Sequence, residues 1–557
     1  MKLKQMNASR IIHRQLLSSY LRTARCVQTL ANSACVNAPW VGVIGLEVHA
    51  QINSRSKLFC RSLNQHNAPV NTCVGIFDTA HPGTLPVLNK ACVEAAVLTA
   101  LALDAQINPV SYFDRKHYFY PDMPAGYQIT QQRKPLAGHG QLSFVVIPPE
   151  GVPYVCKAQL VQLQLEEDSG KSIHSHMHNK VLVDLNRAGV GLMELVFSPC
   201  LHSAAEAAAL VRHLALVLRT LGVCTTNMNE GALRVDANLS VHKAGNPLGT
   251  RTEIKNLNSF RFLEQAINHE LARQISILDA GGNIVNETRS FDPDTGTTAS
   301  MRDKEGLQDY RFLPEPNLPP LRICDSSTGS APSSHDCIDV TELRRRLPLL
   351  PIISQETLNY LLHGCQLSAK DASNLMLRRA TCDHLLATVE DACGAHVAAH
   401  DLSTVAAAAC LLLHCHSRDM PSSVQDDIKL RLPSPTLWSC AQLLKDNRVR
   451  LENAKEIVAM IVRDGDARSP QQIAEEENWL VSSDVEMIEA VTLEIVRKNP
   501  ELVATYLRRS NNPKKLRRPL VKLSKLTREA LGQDADETIV ENSIRRAIQM
   551  TRPTDPE

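Results

Sequence analysis

Not one aspartate or glutamate occurs in this chain before Glu47. Over the same stretch Lys2, Lys4, Arg10, Arg14, Arg22 and Arg25 stand among Ser, Leu and Thr, the acid-poor basic composition of a mitochondrial transit peptide. A leader over residues 1–37 is therefore expected, and with it a place in the mitochondrial matrix. Nor is there a run of about 20 apolar residues such as a membrane span needs. The best candidate, Val405 to Leu413, is too short, so no membrane partner is expected. Aromatic residues make up 4% of the chain and the formal net charge is +1. That excludes nucleic-acid binding by bulk charge and leaves local basic patches as the electrostatic route. The 16 cysteines contain no C-x-x-C pair and no even framework, so free thiols in a reducing compartment are expected. With 557 residues the chain has room for three or four domains.

What the chain does have is a series of two-faced strands. Val41 to Asn53 alternates with period two: Ile44, Leu46, Val48, Ala50 and Ile52 on one face, Gly45, Glu47, His49, Gln51 and Asn53 on the other. A half-solvated edge strand would look the same, but the pattern recurs with a carboxylate each time. Lys157 to Asp168 puts Gln162, Gln164, Glu166 and Asp168 on its polar face, with Glu167 at the turn. Ala232 to His242 sets Arg234, Asp236 and Asn238 opposite Leu233, Val235 and Ala237. Gly249 to Phe260 places Arg251, Glu253 and Lys255 together. If these strands share a sheet, Glu47, Glu166, Asp236 and Glu253 crowd one face, which is costly unless a cation sits among them. Oxygen-rich ligands with a single imidazole suit Mg²⁺ or Mn²⁺. Arg251 and Lys255 are then placed to hold phosphate oxygens, and metal-assisted phosphoryl transfer is the chemistry best served.

Other stretches are read by the same rules. Ser54 to Pro86 holds Cys60, Cys73, His66 and His81, but their spacing fits no standard finger and zinc is not expected. Ser169 to Ser172 reads S-G-K-S, yet the position that a phosphate-binding loop fills with glycine is Leu165. Arg115, Lys116 and His117 precede Tyr118, Phe119 and Tyr120, with Tyr127 and Gln128 beyond two prolines; cations for phosphates and rings for bases suit a nucleotide end. Ser203-Ala-Ala-Glu206 is a capping box that starts a helix to about Leu221, and Asn89 to Leu103 carries the repeat of a buried helix. After the Ser-rich stretch at 326–335 the pattern is helical, through Val340–Arg346, Thr357–Leu362, Val405–Leu413 and Leu451–Arg463. The tail carries Lys514, Lys515, Arg517 and Arg518 in a segment with no acid between Glu501 and Glu529, a patch suited to a phosphate backbone.

Taken together, the motifs G-L-E-V-H (45–49), P-G-T-L-P-V-L-N (82–89), R-K-H-Y-F-Y-P-D (115–122), G-Y-Q-I (126–129), L-E-E-D-S-G-K-S (165–172), D-L-N-R-A-G (184–189), L-R-V-D-A-N (233–238), T-E-I-K-N-L-N-S-F (252–260) and D-Y-R-F (309–312) resemble the B-subunit family of the aspartyl/glutamyl-tRNA amidotransferases, in its mitochondrial form. The resemblance is specific over about 41–321 and loosens beyond. It implies an α+β fold: a β-rich cradle domain with helices (38–325), an all-helical domain (336–480) and a small helical tail that meets tRNA (481–557). It also implies an ATP- and Mg²⁺-dependent ligase that phosphorylates the glutamate of misacylated Glu-tRNA(Gln). Ammonia from a partner amidase, the A subunit, then displaces phosphate, and a small C subunit completes a heterotrimer. By position Glu47, His49, Glu166 and Glu167 correspond to the metal-binding region; Asp236, Glu253 and Lys255 join them by face geometry. Arg115, Lys116, Tyr118, Tyr120, Tyr127, Gln128 and Arg251, with the basic tail, are the expected substrate and tRNA contacts. Relatives carry four cysteines where this chain keeps Cys60 and Cys73, and the tail has Arg508 to Arg518 in place of a Gly- and Lys-rich segment. A non-catalytic tRNA-binding scaffold is the alternative; a stand-alone metal phosphodiesterase fits the acids but not R-K-H-Y-F-Y-P-D.

Overall fold

The structure, a computed structural model, describes residues 40–175, 179–301, 310–325, 337–348, 350–351, 353–394, 397, 401–415, 428–481, 485–508, 513–531 and 537–550. The expected leader, and the side chains of Lys514, Lys515 and Arg517, lie outside the described residues.

Nine strands form the main sheet: β1 (Val41–Gln51), β2 (Gln106–Ile107), β3 (Ala137–Val146), β4 (Tyr154–Glu167), β5 (Gly191–Phe197), β6 (Leu233–His242), β7 (Thr252–Leu257), β8 (Thr288–Asp292) and β9 (Thr297–Ser300). Their spatial order is β9-β8-β7-β6-β1-β5-β4-β3-β2. Two runs of sequential neighbours thus flank β1, which pairs antiparallel with β5 on one side and β6 on the other. The first strand of the described chain is therefore the axis of the sheet. Within this sheet, among the described residues, only the β7–β8 pair is parallel.

The alternation read from the sequence is obeyed. Ile44, Leu46, Val48 and Ala50 are fully buried, whereas Glu47, His49 and Gln51 remain partly open. On the apolar face lie the helices Lys90–Ala102, Ala204–Thr220 and Phe260–Asp279, whose Ala96, Leu210, Leu214, Leu263 and Ile267 enter the same core. Ser203 caps its helix, its hydroxyl accepting from the Glu206 N–H at 3.2 Å. The box is half-made, because the Glu206 carboxylate instead accepts from the His202 N–H and the Tyr154 hydroxyl. The shorter strand pair Asp114–His117 and Tyr127–Thr130 meets the end of β4, where Gln128 bonds to Glu166 and the Ile129 N–H to Glu167. Ser169–Gly170 leads into a strand, Lys171–Ser175, and not into a helix.

A compact β-rich unit runs to Gln355, and a second unit begins at Glu356. The reason is packing: Ile338, Val340 and Leu343, on the first strand and helix after the Ser-rich stretch, complete the core of the β-rich unit. Two cysteines, Cys324 and Cys337, are joined as a disulfide, which corrects the expectation of thiols throughout; the other described cysteines are free. The second unit is helical. Its expected helices at 357–362 and 451–463 each end in a π-turn, Tyr360–Gly364 and Met460–Asp464. In its last part Val485–Lys498, Pro500–Arg508, Pro513–Leu531 and Glu537–Met550 share a small core around Ile488, Leu523, Val540 and Ile544.

Candidate active site on the polar face of the sheet

Strand register sets the site. His49 on β1 stands directly opposite Glu194 on β5, with Nε2 and Oε1 3.9 Å apart. One strand further, Glu166 near the end of β4 leans into the same space. The ligand atoms of His49, Glu166 and Glu194 all lie within 4.8 Å of one another, the one such group with cation-holding geometry among the described residues. Glu194 is absent from the residues that the sequence pattern suggests. The period-two rule could have found it, since Met193, Leu195 and Phe197 are buried and Glu194 lies between them. Glycines at 189 and 191 masked a strand of only seven residues.

The electrostatics is that of crowded acids. Burial, together with the nearby Glu166 carboxylate, pushes Glu194 up to about 7, with His49 and Lys116 pulling the other way. The Gln164 amide donates to one oxygen of Glu194. Gln128 donates to Glu166 Oε1 at 2.5 Å, while Glu166 Oε2 is buried with no hydrogen-bond partner among the described residues. A buried, orphaned carboxylate oxygen beside a second carboxylate and an imidazole fits a hard divalent cation. Lys116 supplies counter-charge. Burial works against its ammonium, but Glu166, Glu194 and Glu47 outweigh it and raise the Lys116 pKa above its ordinary value.

The other expected acids stand around this group without joining it. Glu47 shares the face of His49, but its Oε1 accepts from Asn238 Nδ2 at 2.9 Å. Asp236, across from Glu47, accepts the N–H of Asn256 at 2.8 Å, where a bulge between β6 and β7 gives Asn256 a φ of 59°. Glu253 pairs with Lys255 at 3.6 Å, and burial followed by the charges of Asp236 and Glu47 pushes its carboxyl up against that pairing. Arg251 is exposed ahead of β7. Glu167 faces away, as strand neighbours do. Its Oε1 accepts the Ile129 N–H at 2.9 Å, and burial pushes it up to about 8. It lines a cavity of about 290 Å³ with Phe77, Asp78, Tyr127 and Asp168.

The expected nucleotide contacts are also redistributed. Arg115 is committed to Glu315 by two bonds, 2.6 and 3.0 Å, and lies over the Tyr127 ring at 4.2 Å. Tyr118 turns inward, its hydroxyl 3.5 Å from Gln128 and its ring edge-on to Tyr120 and Tyr310. Cys60 donates to Asp78 and His66 faces Glu230, so the residues considered for zinc do not converge. Two buried pairs leave no signal in the sequence pattern. Lys57 and Asp78 meet at 2.8 Å with both side chains fully enclosed. Asp168 holds Arg234 at 3.0 Å and Arg187 at 3.7 Å, fixing Arg234 opposite His49 on the polar face.

Two carboxylates and an imidazole from three adjacent strands thus meet on the polar face of the sheet, with Lys116 facing the acids and Arg234 opposite His49. Comparison with known proteins gives this domain a family. Residues 42–328 match the model of the GatB/GatE catalytic domain. The B subunit of the mitochondrial glutamyl-tRNA(Gln) amidotransferase of Aedes aegypti is 47% identical over 476 residues, 84% of this chain and 86% of that protein. Its counterpart from Homo sapiens is 55% identical over 324 residues, 57% and 58% of the two chains. The B subunit of the aspartyl/glutamyl-tRNA(Asn/Gln) amidotransferase of Beijerinckia indica is 40% identical over 467 residues, 84% and 89%. The chain belongs to the GatB/GatE family and carries its catalytic domain.

Proposed function

We propose that this chain is the phosphorylating subunit of a mitochondrial-matrix amidotransferase that converts Glu-tRNA(Gln) to Gln-tRNA(Gln), working with a partner amidase and a small third subunit. The observation that carries the reading is the convergence of His49, Glu166 and Glu194 within a domain of this family. These three residues would hold Mg²⁺; when bound, it neutralises charge on the phosphates of ATP as they approach the substrate. The γ-carboxylate of the tRNA-borne glutamate attacks the terminal phosphorus as ADP leaves. Ammonia then adds to the acyl carbon, phosphate departs, and the nitrogen sheds its extra proton. Lys116 faces Glu166 and Glu194 and opposes the charge that builds on the transferred group, and Lys255, near Lys116 and Asp236, adds positive charge on the same side. Arg234, held by Asp168, adds a third cation beside His49.

The test is reconstitution with the two presumed partners. ATP- and Mg²⁺-dependent conversion of Glu-tRNA(Gln), with one ADP formed per amide, is expected; amidation without ATP hydrolysis would overturn the reading. The helix Pro513–Leu531 carries the basic tail residues, with Arg518 exposed. Replacing Lys514, Lys515, Arg517 and Arg518 by Ala is expected to weaken tRNA binding and to reduce its salt slope by roughly 3–4, about 0.9 for each phosphate no longer engaged. Saturating tRNA should restore most of the turnover, and an unchanged slope would make the patch a solvated surface.

A further inference from the structure

The most open ring near the carboxylate cluster is not one of the tyrosines but Phe119, 86% exposed. Single exposed aromatics are ordinary on protein surfaces, but this one is mounted. The loop that carries it is closed on itself: the Tyr118 N–H bonds to Gly126 O at 3.1 Å, the Met123 N–H to Tyr120 O at 3.0 Å, and the Gly126 N–H to Met123 O at 2.9 Å. Gly126 has a φ of 71°, and a Cβ there would lie 3.0 Å from Phe119 Cε1, so the ring rests on a bare stretch of backbone that only glycine supplies. The ring meets Gly126 along its Cδ1–Cε1 edge, and 86% of the residue is exposed.

The same short segment reaches the site. Tyr118, next in the chain, approaches Gln128, and Gln128 donates to Glu166. Lys116, two residues earlier, lies over the Tyr310 ring at 4.9 Å and faces Glu166, Glu194 and Glu47. An open aromatic ring, carried on a loop whose neighbouring residues Lys116 and Tyr118 reach the cluster, is the kind of feature on which proteins stack a nucleobase whose charged end lies deeper in the site.

We propose that Phe119 is the stacking platform for an adenine ring in this active site. The proposal rests on the phosphoryl-transfer reading above, and two substrates of that reaction carry adenosine: ATP and the 3′-terminal nucleotide of the charged tRNA. The base chemistry is the same, and kinetics separates the sources.

The experiment compares wild type, Phe119→Ala and Phe119→Trp in the assembled enzyme. Loss of one base–ring stack should raise a KM by roughly 5- to 100-fold in Phe119→Ala, with kcat much less affected, as expected for lost uniform binding. Phe119→Trp, which keeps a stacking face, should stay near wild type. A rise in the KM for ATP assigns the ring to the nucleotide; a rise in the KM for Glu-tRNA(Gln) assigns it to the acceptor end. Unchanged values for both overturn the proposal, as does dissociation of a partner protein in Phe119→Ala without a KM change, which would make the ring a protein contact. A binding measurement stands apart from turnover. The emission that Phe119→Trp adds to wild type should be quenched by ATP or by a CCA trinucleotide, and not by tripolyphosphate. Quenching by neither base-bearing probe overturns the platform even if the enzyme amidates tRNA; quenching in an enzyme that fails to amidate overturns only the reaction.

Discussion

Glu194→Gln should lower ATP-dependent formation of Gln-tRNA(Gln) by about two to three orders of magnitude, roughly 3–4 kcal/mol of transition-state stabilisation. The substitution keeps the side chain's shape and removes one of the charges facing His49 at 3.9 Å. It should not harm the fold, because burial and Glu166 already push this carboxyl up to about 7, so that a neutral group relieves repulsion. His49→Ala should fall similarly, with partial rescue at high Mg²⁺ if the loss is one of cation affinity. Glu47→Gln should lose less than about tenfold, since its oxygen is engaged by Asn238 outside the cluster. Glutamine hydrolysis by the amidase subunit proposed above should persist in all three. Wild-type rates from added ammonia in Glu194→Gln, alongside an inactive Glu47→Gln, would move the cation to Glu47.

Asp168→Asn is expected to destabilise the β-rich unit by about 3 kcal/mol, the scale for removing one partner of a buried ion pair. Asp168 is buried between Arg234 and Arg187 and accepts from Gln51 Nε2 at 3.0 Å, and only 17% of the Arg234 side chain is exposed. Burial alone pushes the Asp168 carboxyl upward, but Arg234 and then Arg187 outweigh it and hold it below the ordinary carboxylate range. A carboxyl depressed on folding adds stability that is present above its unfolded pKa, about 3.9, and is lost as pH falls through the lower folded value. The wild-type advantage in denaturant midpoint should therefore be full at pH 7 and shrink below about pH 4. A constant difference across that range would mean that shape, not charge, holds the pair. Activity should fall too, because Arg234 would no longer be held beside His49.

The faces of Glu47, His49, Glu166 and Asp236 were legible in the sequence, whereas those of Glu167 and Glu194 were not. Alternation along a strand is a property of neighbouring peptide units, so Glu47 and His49 share a side of β1 whatever surrounds them. The cap at Ser203 and the helix beyond it are local in the same sense. The motifs likewise sufficed for the family. Which acids meet was decided only by tertiary structure. Glu166, Glu194 and His49 come together because β5 lies between β1 and β4, and that order sets them side by side. Arg115 looks free in its own segment until Glu315, 200 residues on, accepts from its Nε and Nη2. Tyr118 and Phe119 are chemically alike in sequence; the fold turns one inward to Gln128 and leaves the other open on Gly126. Direction is fixed by bonds a few residues apart, whereas proximity comes from strand order and register, which the whole chain sets at once.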